Sequence, residues 1–190
     1  AVTWGSAQTV GRVTLNDNST IALAGNNNGE FIVVFEDKSQ LDKQYVMAGT
    51  ISGVSVSLGS AVQLTTSTYG MKGACYDTNT DKYLICYINN QASLYLYGNV
   101  ATVTGTSVSL GTTVTISSNT YLYAAKAAYD SANQKVVVVG SRSSQIDGFV
   151  ATISGTSFSV GSVSVVTSSR PTAVTDTSMS AITYDANAGS

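Results

Sequence analysis

The chain repeats a short phrase, and that repetition limits what it can fold into more than any other feature. Ala48-Gly49-Thr50-Ile51-Ser52-Gly53, Val100-Ala101-Thr102-Val103-Thr104-Gly105 and Val150-Ala151-Thr152-Ile153-Ser154-Gly155 end on glycines spaced 52 and then 50 residues apart. Each phrase runs directly into an alternating segment: Val54-Ser55-Val56-Ser57-Leu58-Gly59, Ser107-Val108-Ser109-Leu110-Gly111 and Ser157-Phe158-Ser159-Val160-Gly161. A second marker, Tyr-Asp, recurs in step at Tyr76-Asp77, Tyr129-Asp130 and Tyr184-Asp185. Landmarks that keep register over this distance mean tandem copies of one supersecondary unit. A period in this range belongs to solenoids, propellers and arrays of small sheets.

Each copy reads as strand. Gly73–Tyr76 and Lys82–Tyr87 flank Asp77-Thr78-Asn79-Thr80-Asp81, a stretch of turn formers that predicts a hairpin loop. Lys135–Val139 is a lysine followed by four valines, the β-branched run of a strand covered on both faces. A strand over Tyr95–Thr104 follows, then a tight turn at Gly105-Thr106-Ser107 into an alternating strand ending near Ile116. Hairpin links make all four strands antiparallel. No window sustains a period of 3.6 residues, so helix should be close to absent.

The predicted fold class is therefore all-β, with tandem four-stranded antiparallel sheets in a propeller-like array, incomplete as given. Residues 1–190 read as a single repeat domain. It has an outer strand at 1–10, repeats at about 20–65, 72–116 and 124–166, and a partial repeat at 177–190. The opening strand Val2–Val10 matches the fourth strand of the repeat, with Gly5 aligned to Gly59, Gly111 and Gly161. It is expected to pair with a strand outside the three complete sheets, from residues beyond Ser190 or from a neighbouring subunit, because an unpaired strand invites association.

Composition narrows the partners. Charged residues are 11% of the chain, the net charge is −2 and the pI about 4.8. There is no cationic footprint for nucleic acid or anionic lipid, and no apolar run approaching a membrane-spanning helix. Ser, Thr, Asn and Gly must supply the polar surface, while a 43% hydrophobic content is enough to build a core. Cys75 and Cys86 should fall on one sheet face, diagonal to each other, as buried free thiols, with a disulfide as the alternative. No histidine exists to complete a metal site with them.

Two groups of residues stand out as candidate sites. Asp77, Asn79 and Asp81 have the Asp-x-Asn-x-Asp spacing that can wrap calcium in oxygen ligands. The same residues also make a polar turn, and the equivalent loops Gly25–Gly29 and Asp130–Gln134 keep the turn formers without the carboxylates. Tyr69, Tyr87, Tyr95, Tyr97, Tyr121 and Tyr123 cluster in the second and third repeats. Tyrosine beside Asn and Ser suits stacking on sugar rings, which makes Tyr69, Tyr121, Tyr123 and Asn119 candidate ligand contacts. Packing between sheets accounts for the same tyrosines. For catalysis, the absence of histidine removes the usual triad and imidazole base. Glu30, Glu36, Asp37, Asp42 and Asp147 are the carboxylates a glycosidase pair would draw on, and they lie in hydrophilic stretches. Lys43 and Lys126 have no nucleophile arrangement around them. No enzymatic activity is expected.

Phrases of the form Ala-Thr-Ile-Ser-Gly-Thr-Ser-Phe-Ser-Val-Gly-Ser, joined to Tyr-Asp, a short polar turn and Lys-Val-Val-Val-Val, resemble the propeller-type repeats of virion proteins. Tail fibres and surface decoration proteins of tailed bacteriophages carry such repeats. The resemblance covers about 1–190 at the level of the repeat and is weakest in the first copy, where Asn26–Gly29 replaces the Tyr-Asp turn. It implies a structural, adhesive module on a virion surface, assembled with other virion subunits, itself a homo-oligomer, and touching a host-surface glycan. The alternatives are an extracellular bacterial lectin or adhesin, and a fragment of a glycan-cleaving enzyme.

Overall fold

The computed structural model describes residues 5–8, 21–37, 43–66, 72–89, 93–121, 124–168 and 182–183. All regular structure among them is strand, arranged as three antiparallel sheets in tandem. The first sheet holds β1 (Ala22–Gly25), β2 (Glu30–Asp37), β3 (Lys43–Ser52), β4 (Ser55–Leu58) and β5 (Val62–Thr65). The second holds β6 (Lys72–Asp77), β7 (Lys82–Asn89), β8 (Tyr95–Thr104), β9 (Ser107–Leu110) and β10 (Val114–Ser117). The third holds β11 (Ala124–Asp130), β12 (Lys135–Ser141), β13 (Ile146–Ser154), β14 (Ser157–Val160) and β15 (Ser164–Thr167).

The repeated phrase folds as a long third strand ending in a two-residue turn. Ser52 pairs with Ser55, Thr104 with Ser107 and Ser154 with Ser157. The first loop residue is Gly53, Gly105 or Gly155, at φ of 59°, 60° and 61°. A positive φ at that position alone is the type II′ turn, whose twist matches the strands that it joins. The first hairpins close differently. Asp77 pairs with Lys82 and Asp130 with Lys135 across four-residue loops whose last members, Asp81 and Gln134, both sit at φ 55°.

One expectation is corrected here. The alternating outer strand does not run unbroken to Ile116; it is split into β9 and β10, and likewise into β4 with β5 and β14 with β15. Both halves lie end to end on the same edge of one strand. Ala101 pairs with Leu110 but Gly98 with Val114, so the outer strand spends one more residue than its partner. The same single-residue excess recurs in the other two sheets. Such an insertion is a β-bulge.

Glycine at the split sets the spacing between sheets. A Cβ on Gly59 would stand 1.8 Å from the carbonyl oxygen of Thr106, and one on Gly111 would stand 1.7 Å from that of Thr156. Each is the second residue of the next sheet's type II′ turn. Gly5 repeats the contact against Val54, at 1.7 Å. The alignment of Gly5 with Gly59 and Gly111 therefore holds in space. Of the segment 2–10, only Gly5–Gln8 are described, and these four lie outside any strand; its expected pairing falls otherwise on residues outside those described.

Apolar side chains from facing sheets fill the gaps between them. Ile32, Val34, Val46 and Leu64 of the first sheet meet Tyr83, Ile85, Tyr87 and Ala101 of the second. Cys75, Leu84, Cys86, Val100 and Ile116 on the opposite face of the second meet Val136, Val138, Phe149 and Phe158 of the third. Both faces of the middle sheet are thus buried; the run expected to be covered on both faces, Lys135–Val139, lies in the third sheet. The third sheet shows the same outward face without that cover. Leu64 and Ile116 are each 8% exposed, whereas their counterpart Val166 is 62% exposed. Ala48 and Val100 are 0% and 1% exposed, and their counterpart Val150 is 50%.

Candidate functional site

The first strands of the three sheets lie side by side at a common hub, with β6 in contact with both β1 and β11. Their approach depends on Gly73, where a Cβ would come within 2.6 Å of Lys126 Cα. Leu23, Ala74 and Ala127 occupy the same register position in the three sheets, and Ile182 stands at the matching place two residues before Tyr184. All four line one passage. Leu23 is 67% exposed, a large aliphatic side chain turned to a lumen and not to the core.

At one end the passage widens to a funnel of about 610 Å³, walled by Ala24, Cys75, Ala128 and Thr183 and rimmed by Tyr76, Tyr129, Asn27 and Thr78. The rim is polar and held in place. The Tyr76 hydroxyl donates to Asp81 Oδ1 at 2.7 Å, and its ring lies 5.0 Å from that of Tyr83. Burial pushes the Tyr76 pKa up to about 12, and the Asp81 carboxylate acts in the same direction. The Tyr129 hydroxyl is also shifted upward, by burial first and by Asp77 of the neighbouring sheet besides. Both stay protonated near neutrality; the Tyr76 proton is held by Asp81, so its hydroxyl oxygen is left to accept. A funnel with an aliphatic throat and a mouth of phenol, amide and hydroxyl groups can grip a ligand that is apolar on one side and hydroxylated on the other.

The other end narrows to about 170 Å³ beside Lys126, Ile21 and Gly73. Lys126 Nζ donates to the carbonyl oxygen of Lys72 at 3.2 Å. Burial lowers the Lys126 pKa. Lys72 is fully buried, and desolvation takes its pKa down to about 8 against the opposing pull of Glu36, with the Lys126 charge adding to the lowering.

Of the ligand candidates drawn from the sequence, the two described, Tyr121 and Asn119, do not line the hub. Tyr121 is fully buried between the second and third sheets, where its hydroxyl donates to Asp147 Oδ2 at 2.9 Å and lies 3.0 Å from Ser117 Oγ. Its ring crosses that of Phe149 at an edge-on 67°, leaving no face open to solvent. Asn119 is exposed, and its backbone N–H donates to Ser117 Oγ. Tyr69 and Tyr123 lie outside the described residues. Tyr87 donates to Asn99 Oδ1 inside the core, so for Tyr87 and Tyr121 it is packing between sheets that the geometry shows.

The calcium spacing resolves into turn chemistry. Asp77 Oδ1 accepts the N–H groups of Asn79 and Thr80 at 2.8 and 3.3 Å, and Asp81 Oδ1 accepts the Tyr76 hydroxyl. Asp130 Oδ1 caps Ala132 and Asn133 in the same way, at 3.0 Å each. The cap by the first aspartate thus recurs one repeat later, in a loop that has Gln134 where the second repeat has Asp81. Among the described residues no three His, Cys, Asp or Glu side chains gather as a metal would require.

The carboxylates have other partners too. Glu30 bridges two sheets, accepting Asn26 Nδ2 at 2.8 Å and the Gly105 N–H at 2.6 Å. Buried Asp147 accepts Gln145 Nε2 at 2.6 Å besides Tyr121, with Arg142 at 3.6 Å. Cys75 and Cys86 are free, buried and on one face, diagonal across the β6–β7 pair. Burial raises both thiol pKa values, that of Cys86 to about 12. No family model and no curated protein matches the sequence. The hub residues carry no motif; only superposing the repeats brings Leu23, Ala74, Ala127 and Ile182 to one place.

Proposed function

We propose that the chain is a non-enzymatic structural module of a tailed-bacteriophage virion, a tail-fibre or surface-decoration component, that contacts host-surface glycans through the mouth of the hub funnel. The rim of Tyr76, Tyr129, Asn27 and Thr78 over an aliphatic throat carries this reading. Sugar rings present apolar C–H faces and hydroxyl edges together, and protonated tyrosines beside an amide suit both. Stiff tandem sheets with buried faces suit display on a particle, and carboxylates engaged in caps and bridges leave the funnel a binding surface.

A glycan array probed with the chain and with Tyr129→Ala tests the binding. Retention of a defined glycan class, weakened at least tenfold in the variant, is the expected result. Retention that ignores the substitution, or none at all, removes the funnel from the reading. Gold-labelled antibody on purified particles tests the location, since a bacterial surface lectin would leave particles bare and label cells.

A further inference from the structure

The smaller cavity at the hub sets a cation beside a row of aliphatic side chains. Its walls are Ile21, Leu23, Ala74, Ala127 and Ile182, and Lys126 is the charged member of the lining. Ile21 and Leu23 are both more than half exposed and so are open to an apolar guest. Four of these walls are shared with the funnel, so the two cavities adjoin.

An ammonium group has three donors. One goes from Lys126 Nζ to the Lys72 carbonyl oxygen. No carboxylate lines this end of the passage among the described residues, and the neighbouring Lys72 ammonium has Glu36 as its own opposing charge. Lys126, half-stripped of water in a lining without a carboxylate, favours an anionic guest.

We propose that the throat binds a short aliphatic monocarboxylate, its carboxylate on Lys126 Nζ and its chain along Leu23, Ala74, Ala127 and Ile182. The head is held by a charge-assisted hydrogen bond. The tail removes Leu23 and Ile21 from water. The site goes beyond the glycan reading: it uses the opposite end of the passage, and either can fail without the other.

Titration calorimetry of the folded chain with hexanoate, acetate and hexanol is the test. Hexanoate binds saturably at one site per chain, at least tenfold more tightly than acetate, which lacks the tail, or hexanol, which lacks the charge. Lys126→Met loses at least tenfold in hexanoate affinity and Lys126→Arg keeps most of it. Leu23→Asp, a change at a side chain already open to solvent, also weakens hexanoate at least tenfold by setting a like charge in the lining, and it decides the matter if Lys126→Met fails to fold. Equal binding of acetate and hexanoate, undiminished binding in Lys126→Met, or no saturable binding by the folded chain overturns the proposal.

Discussion

Replacing Gly111 with alanine should cost far more than the same change at Gly161, although the two occupy the same place in the repeat. A Cβ at Gly111 would lie 1.7 Å from the Thr156 carbonyl oxygen, 2.7 Å from its carbon and 3.1 Å from Thr156 Cβ. Real contacts of that kind stay beyond roughly 3 Å, so the third sheet's turn must retreat by more than an ångström. The turn is rigid backbone closed by a two-residue loop and cannot swing aside as a side chain would. Retreat opens the buried seam between Ile116 and Phe158, and overpacking of a seam that cannot relax costs about 3 kcal/mol or more. A Cβ at Gly161 has its nearest described neighbour, the Val150 carbonyl oxygen, at 3.6 Å, an ordinary contact. Gly161→Ala should stay within about 0.5 kcal/mol. Urea denaturation followed by circular dichroism, with the slope checked for constancy, reads both. Equal midpoint shifts for the two variants would refute the claim that the glycine is there for the neighbouring turn.

Other consequences can be measured separately. Tyr121→Phe removes one donor from buried Asp147 and should destabilise by about 1–3 kcal/mol in the same denaturation assay. Lys72 has a folded pKa of about 8, below the unfolded value near 10.4, so the folded state releases its proton first as pH rises. The stability attached to this group is complete above the unfolded value and lost as pH falls towards 8; between those limits the wild type should gain on Lys72→Met with rising pH, and parallel pH profiles would discount the shift. Cys75 and Cys86 should resist a thiol reagent in the native state and react once the chain is unfolded, because burial disfavours both thiolates. Asp77→Ala should cost about 1 kcal/mol through its lost turn caps, with a melting temperature that is the same in calcium and in chelator.

The parts of the fold that were legible in sequence are those where one residue type is demanded locally. Gly53, Gly105 and Gly155 announce turns because the backbone there needs a positive φ, and the surrounding alternation fixes the strands. The split of the outer strand was hidden, since Gly111-Thr112-Thr113 continues the polar composition and a register slip leaves no compositional trace. Tyr121 pointed to the surface because it follows a polar connection. Its ring is in fact received by Gly140, where a Cβ would lie 2.7 Å from it, and that glycine ending the valine run was the overlooked signal. The hub was illegible for a different reason. Ala74 and Ala127 are unremarkable as single residues, and Lys126 acquires surroundings only when strands 54 residues apart in sequence are brought together.

The bulge that divides each outer strand also governs how the molecule meets its own kind. A sheet's last strand normally offers a continuous ladder of free amides and carbonyls on which a foreign strand can grow. Here that rim is broken into two four-residue pieces, too short for a lasting match, with their registers out of step by one residue. A strand docking on one piece would miss the hydrogen bonds of the other. For a chain with few charges to keep copies apart, this interrupted rim is a geometric defence against edge-to-edge aggregation, repeated in each of the three sheets.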